Sequence, residues 1–147
     1  MLTKDKVRAV YYTRVSTAEQ AASGYSLGAQ QKVIAEYCDK KGYQLIGGYS
    51  DEGISGKSIE QRPQLQDLLE DSRNDEFDVV VIWKSSRLSR RLIDMLSIIE
   101  ELKQHEVALE SVSEKIEIDS PINYFMVQVL SSMNELERNI IAIFLVM

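Results

Sequence analysis

The sequence predicts a three-layer α/β domain with a largely parallel sheet, and three observations carry that class. Short runs of β-formers alternate along the chain with segments of helical apolar period, the order that builds strand–helix–strand units. Residues 77–83, Phe-Asp-Val-Val-Val-Ile-Trp, are nearly all apolar, as a strand covered on both faces requires. Polar, turn-rich stretches follow three of the strand segments, where open α/β sheets keep their sites.

Taken in order, Val7 to Thr13 is the first strand, and the polar stretch from Ser16 to Gly24 is the loop it delivers. A helix follows from Ser26, an N-cap residue, with Leu27, Ile34, Tyr37, Cys38 and Lys41 near one stripe and Gly42 after the last turn. Tyr43 to Tyr49 is the second strand and gives way to the turn-rich loop Asp51-Glu52-Gly53-Ile54-Ser55-Gly56. The next helix begins near Pro63 and turns Leu65, Leu68 and Leu69 inward. The central strand, Phe77 to Trp83, ends at a basic cluster; Leu92 to Lys103 is helical and Val107 to Val112 is another strand. Everything from Pro121 onward is compatible with one long helix. Tyr11 and Tyr12 point to opposite faces, so one belongs to the core, and Cys38 and Trp83 read most economically as core side chains.

A chain of 147 residues, 44% hydrophobic and 27% charged, buries one ordinary core. A leader-like start and a long apolar span are both missing from the sequence, so the expectation is a cytoplasmic protein without a membrane partner. One cysteine excludes an internal disulfide, and a single histidine, His105, removes most histidine-based metal sites. The net charge of −6 argues against nucleic acid on its face, but the charge is segregated. Residues 1–50 hold seven bases and four acids, residues 51–147 ten bases and nineteen acids, and the eight residues from Lys84 to Arg91 hold four bases and no acid. An anion site on an acidic body is the consequence, and such a body needs a further segment to attract bulk DNA.

The three polar segments contribute Arg14, Ser16 and Gln20, then Ser55 and Arg62, then Arg87 and Arg90. Hydroxyls and guanidiniums without a histidine, cysteine or tight acidic pair do not suit acyl transfer, and His105, at the end of a helix, is a surface residue. Arginines around a serine suit phosphoryl chemistry: a planar guanidinium binds two phosphate oxygens and stabilises charge on a pentacoordinate phosphorus, so no metal or cofactor is required. The bland readings are a turn cap at Ser16, a solvated helix start at Lys84 to Arg91, and a tight turn at Asp51 to Gly56.

Tyr12-Thr13-Arg14-Val15-Ser16-Thr17 with Gln20 resembles the opening signature of the serine recombinases, the resolvase, invertase and large serine integrase group. Asp51-x-Gly53-x-Ser55-Gly56 with Arg62-Pro63, then Lys84-x-x-Arg87-Leu88-Ser89-Arg90, are similar to the family's second and third segments, and Glu137-Arg138 to its fourth. The loop around Gly24-Tyr25-Ser26, with Gln30, is most similar to the large integrase and transposon-recombinase branch. The resemblance covers residues 7–138. It implies a resolvase-like domain over residues 1–120, followed by the start of a long dimerisation helix over 121–147.

The resemblance further implies that Ser16 attacks a DNA phosphodiester, giving a 5′-phosphoserine link and a free 3′-hydroxyl, with strand exchange and religation to follow. Arg14, Arg87 and Arg90 would surround the phosphate with Arg62 nearby; Tyr12, Gln20, Gln30 and Ser55 support them, and Glu137 and Arg138 reach the site or the dimer contact. Arginine is a poor proton carrier, so the base is left unassigned. The implied partners are double-stranded DNA, held mainly by a C-terminal region beyond this chain, and a second copy, with a tetramer in the recombination complex. One departure stands out: the family has an acid where this sequence has Ser86, which accepts a hydrogen bond without charge assistance. That departure is the sole support for the alternative, a catalytically impaired regulatory or dimerisation module of the same fold. Residues 122–147 carry Phe125, Met126, Val129, Leu130, Met133, Leu136, Ile140, Ile141, Phe144 and Leu145, a stripe broad enough for a subunit contact.

Overall fold

The computed structural model describes residues 6–15, 26–52, 62–89, 91–113, 116–118 and 125. The elements are β1 (Arg8–Val15), α1 (Leu27–Lys41), β2 (Gln44–Glu52), α2 (Pro63–Ser72), β3 (Val79–Ile82), α3 (Ser85–Leu88), α4 (Leu92–Gln104), β4 (Ala108–Ser111) and β5 (Ile116–Ile118). The sheet order is β2-β1-β3-β4-β5. The first four strands are mutually parallel and β5 runs antiparallel to β4. The expected class is therefore the observed one; the short α3 and β5 are additions, and the expected C-terminal helix, residue 125 apart, lies outside the described residues.

Alternation along β1 and β3 divides the core between the two faces. Ala9, Val79 and Val81 pack with Ile34 and Cys38 of α1, while Val10, Tyr12, Val80 and Ile82 pack with α2 and α4. Each of the four residues of β3 is at most 1% exposed, which makes it the central strand expected of residues 77–83. Because the chain leaves β1 toward β2 on one side and returns across it to β3 on the other, the strand order reverses between β1 and β3. The crevice at their carboxyl ends is where such sheets hold ligands. Among the described residues no helix is long and apolar enough to cross a membrane.

Local chemistry fixes the element ends. Ser26 Oγ accepts from Ala29 N at 3.1 Å, and Gly42, at φ 74°, turns the chain out of α1 while Tyr43 N donates to Cys38 O at 2.9 Å. The pairing of β1 with β2 steps past Ile46, which is left bulged and exposed. Gly48 is opposite Tyr11, whose ring fills the space a Cβ there would need. On the α1 face, buried Glu110 of β4 accepts from Tyr37 OH at 2.5 Å and Tyr43 OH at 2.7 Å, so one carboxylate ties α1 and its exit to the sheet.

Candidate active site at the carboxyl edge of β1 and β3

Arg14 is a strand residue, not a loop residue as the sequence suggested, because β1 runs two residues further than Thr13 while paired with β2. Its side chain is fully buried and reaches α3. Nε donates to Arg87 O at 3.1 Å and Nη2 to Ser86 O at 2.8 Å. Arg87, 4% exposed, returns the contact through Nη1 to Arg14 O at 3.4 Å. Two guanidiniums are thereby held at the ends of adjacent strands by main-chain carbonyls, which orient them without cancelling their charge.

Gln30 fixes the other side of Arg14. Its amide accepts from Arg14 N at 3.4 Å and donates to Arg14 O at 3.1 Å, so α1 grips the main chain of β1 as a neighbouring strand would. Buried Arg62, just before Pro63 opens α2, donates through Nη1 to Leu88 O and lies 6.0 Å from the centroid of the Tyr12 ring. Tyr12 is the core member of the tyrosine pair, and its hydroxyl donates to Asp51 Oδ2 at 2.6 Å. Burial pushes the phenol well above its ordinary range and the bond to Asp51 adds to the rise, so Tyr12 stays protonated as a donor.

Asp51 is the residue to which the sequence assigned no role. It lies within β2, next to the last residue, rather than opening a loop, is 2% exposed, and accepts from Gln64 N at 3.0 Å and Leu65 N at 3.1 Å besides Tyr12. Arg62, at the N-cap position of α2, makes no capping bond, so Asp51 caps that helix from eleven residues away in sequence. Its place in the Asp51-x-Gly53 motif was the signal; a cap supplied from another element has no local signature.

At Ser86 the main-chain carbonyl accepts from Arg14. Trp83 corrects its core assignment, since it is only partly buried, whereas Cys38 is 2% exposed as expected. The basic cluster is not one helix start: α3 occupies 85–88, and Arg91 stands before α4. Arg14, Arg87, Gln30, Tyr12, Arg62 and Ser86 thus share one edge of the sheet. Ser16, Gln20, Ser55, Arg90, Glu137 and Arg138 lie outside the described residues.

Residues 9–143 match the family described as Resolvase, N terminal domain. A protein named resolvase from Clostridium perfringens is 33% identical over 138 residues, which cover 90% of this chain and 65% of that protein. The chain therefore spans less than two thirds of that relative's length. Among solved structures, the N-terminal catalytic domain of TP901-1 integrase is 34% identical at a TM-score of 0.74, covering 90% of this chain and 98% of that one. A resolvase family site-specific recombinase from Streptococcus pneumoniae is 36% identical at a TM-score of 0.68, covering 94% and 92%.

Proposed function

The chain belongs to the serine recombinase family of resolvases and invertases, and on that premise we propose that it is the strand-cleaving domain of a site-specific DNA recombinase. The observation that carries the reading is the pair of buried, interlocked guanidiniums of Arg14 and Arg87, two residues along the chain from Ser16 in the case of Arg14. Ser16 Oγ gives up its proton and bonds to the phosphorus, the bond from phosphorus to the 3′ oxygen breaks, and that oxygen leaves as a protonated 3′-hydroxyl. The phosphoserine keeps the phosphoester bond, so the reverse attack by a 3′-hydroxyl reseals the strand without a nucleotide cofactor. Arg14 and Arg87, with Arg90 and Arg62, stabilise the negative charge that grows on the equatorial oxygens.

In this reading Gln30, Tyr12 and Asp51 hold the arginines rather than touch DNA, and Gln20, Ser55, Glu137 and Arg138 complete the site. Subunits pair through residues 122–147 and bring separate serines to separate strands, and affinity for duplex DNA resides mainly in a region outside this chain. The contact that Ser86 makes with Arg14 runs through its main-chain carbonyl, which any residue at that position supplies. The test is denaturing electrophoresis of the protein that carries this domain after reaction with its recombination site. A covalent protein–DNA adduct with a 5′-linked end, lost in Ser16→Ala, is the expected result. An adduct that survives Ser16→Ala refutes it.

A further inference from the structure

Trp83 is the only tryptophan of the chain. It leaves the end of β3 at the edge that holds Arg14 and Arg87, and it is partly exposed there although its neighbours Val81 and Ile82 are fully buried. Its main chain is anchored: the carbonyl accepts from Ser113 N at 2.8 Å and from Ser111 Oγ at 3.4 Å, so the backbone that carries the ring is joined to the end of β4. Two cations attend the ring. Lys84 Nζ lies 4.6 Å from its centroid and the Arg87 guanidinium carbon 5.9 Å.

Those features describe a surface with a specific complement. The part of the side chain that stays exposed is apolar area that a flat partner can cover, and indole is the strongest partner for a cation. A ligand that is flat, apolar on its faces and tied to an anion complements the ring and the cations together. A nucleotide is such a ligand, and the charge of Lys84 and Arg87 excludes a cationic partner. Every base has a π-face, so stacking here needs no base sequence.

We propose that Trp83 is a stacking platform for a nucleobase beside the cleaved phosphate, with Lys84 attracting the phosphate of that same nucleotide. The proposal rests on the recombinase reading, because strand cleavage leaves an end whose terminal base is the least costly to unstack. Trp83 then holds the broken end in register while the protein retains the other side through its serine.

The experiment compares a fluorescently labelled thymidine oligonucleotide with an abasic oligonucleotide of equal length, so that the phosphates match and only the bases differ. Binding is read by anisotropy of the label and base contact by quenching of Trp83 emission. The wild-type chain is expected to bind the thymidine oligomer about 5- to 100-fold more tightly than the abasic one, with quenching by the former alone. Trp83→Leu removes the difference in affinity and Trp83→Phe keeps most of it. Equal affinity of the wild type for both oligomers overturns the platform while leaving the phosphate site intact, and binding of neither overturns it as well. The covalent adduct at Ser16 is measured separately, so the two readings fail separately.

Discussion

Replacing Asp51 by alanine removes one carboxylate that serves three donors from two elements, and the cost can be worked from those contacts. The amides of Gln64 and Leu65 lose their acceptor, and loss of a helix N-cap costs about 1 kcal/mol, within a range of about 0.5–2. The Tyr12 hydroxyl, 2.6 Å from Asp51 and on a fully buried residue, is left without that acceptor, which costs about 1–3 kcal/mol. The sum is about 3 kcal/mol, or a fall in Tm of roughly 6–12 °C for a domain near this size. Tyr12→Phe should cost less, about 1 kcal/mol, because the carboxylate retains both amides. The double variant should then lose about 1–2 kcal/mol less than the sum of the singles, since no buried hydroxyl is orphaned. Urea unfolding followed by far-UV circular dichroism measures each corner of the cycle, with an unchanged m-value as the check on two-state behaviour. An Asp51→Ala variant within about 0.5 kcal/mol of the wild type, or strictly additive corners, would refute the assignment of Asp51 as the cap of α2.

Gly48→Ala places a methyl where the Tyr11 ring sits and should cost about 1–3 kcal/mol in thermal unfolding, most of it recovered in the Tyr11→Ala background; equal costs in both backgrounds would contradict the close approach. Burial, with the charge of Glu110 adding, pushes the Cys38 thiol from its ordinary 9.0 up to about 11. The folded chain keeps that proton where the unfolded chain releases it, so stability falls as pH rises from about 9 to about 11, and Cys38→Ala should flatten that limb of the curve; an unchanged alkaline limb argues otherwise. In the protein carrying this domain, Arg87→Ala should lower strand cleavage on the order of 100-fold or more while gel-shift affinity for the site stays near wild type, since one phosphate contact contributes little to binding. Parallel losses of binding and cleavage would make Arg87 a docking residue instead.

The fold was legible because its signals are local. The apolar run through β3, Ser26 and Gly42 at the ends of α1, and Pro63 at the first turn of α2 each announce themselves within a few residues. Strand ends were less legible: Arg14 and Asp51 are polar and read as loop, yet pairing of Arg14 with Asp51 extends both β1 and β2 past their apolar stretches. The identity of the arginines was legible from their company with Ser16, but their partners were not. Main-chain carbonyls of Ser86, Arg87 and Leu88 carry no residue identity, and an acceptor that every residue possesses leaves no trace in a sequence. Trp83 was misplaced for the opposite reason, since an indole after four buried apolar residues continues their pattern until the strand ends.

The carbonyls of α3 explain why this site joins structure to charge. A four-residue helix cannot satisfy its own last carbonyls. Here Lys84 O accepts from Arg87 N at 2.9 Å and Ser85 O from Ser89 N at 3.0 Å, while the next three, of Ser86, Arg87 and Leu88, accept from Arg14 and Arg62 side chains. The basic segment is therefore folded by arginines that come from β1 and from the start of α2. An ammonium on a flexible stem could supply the charge but not the fork that reaches two successive carbonyls at once, as Arg14 does at 3.1 and 2.8 Å. Arginine at position 14 is thus required by the geometry of α3 as well as by the phosphate of the proposed reaction, and a lysine there would lose the first before the second is tested.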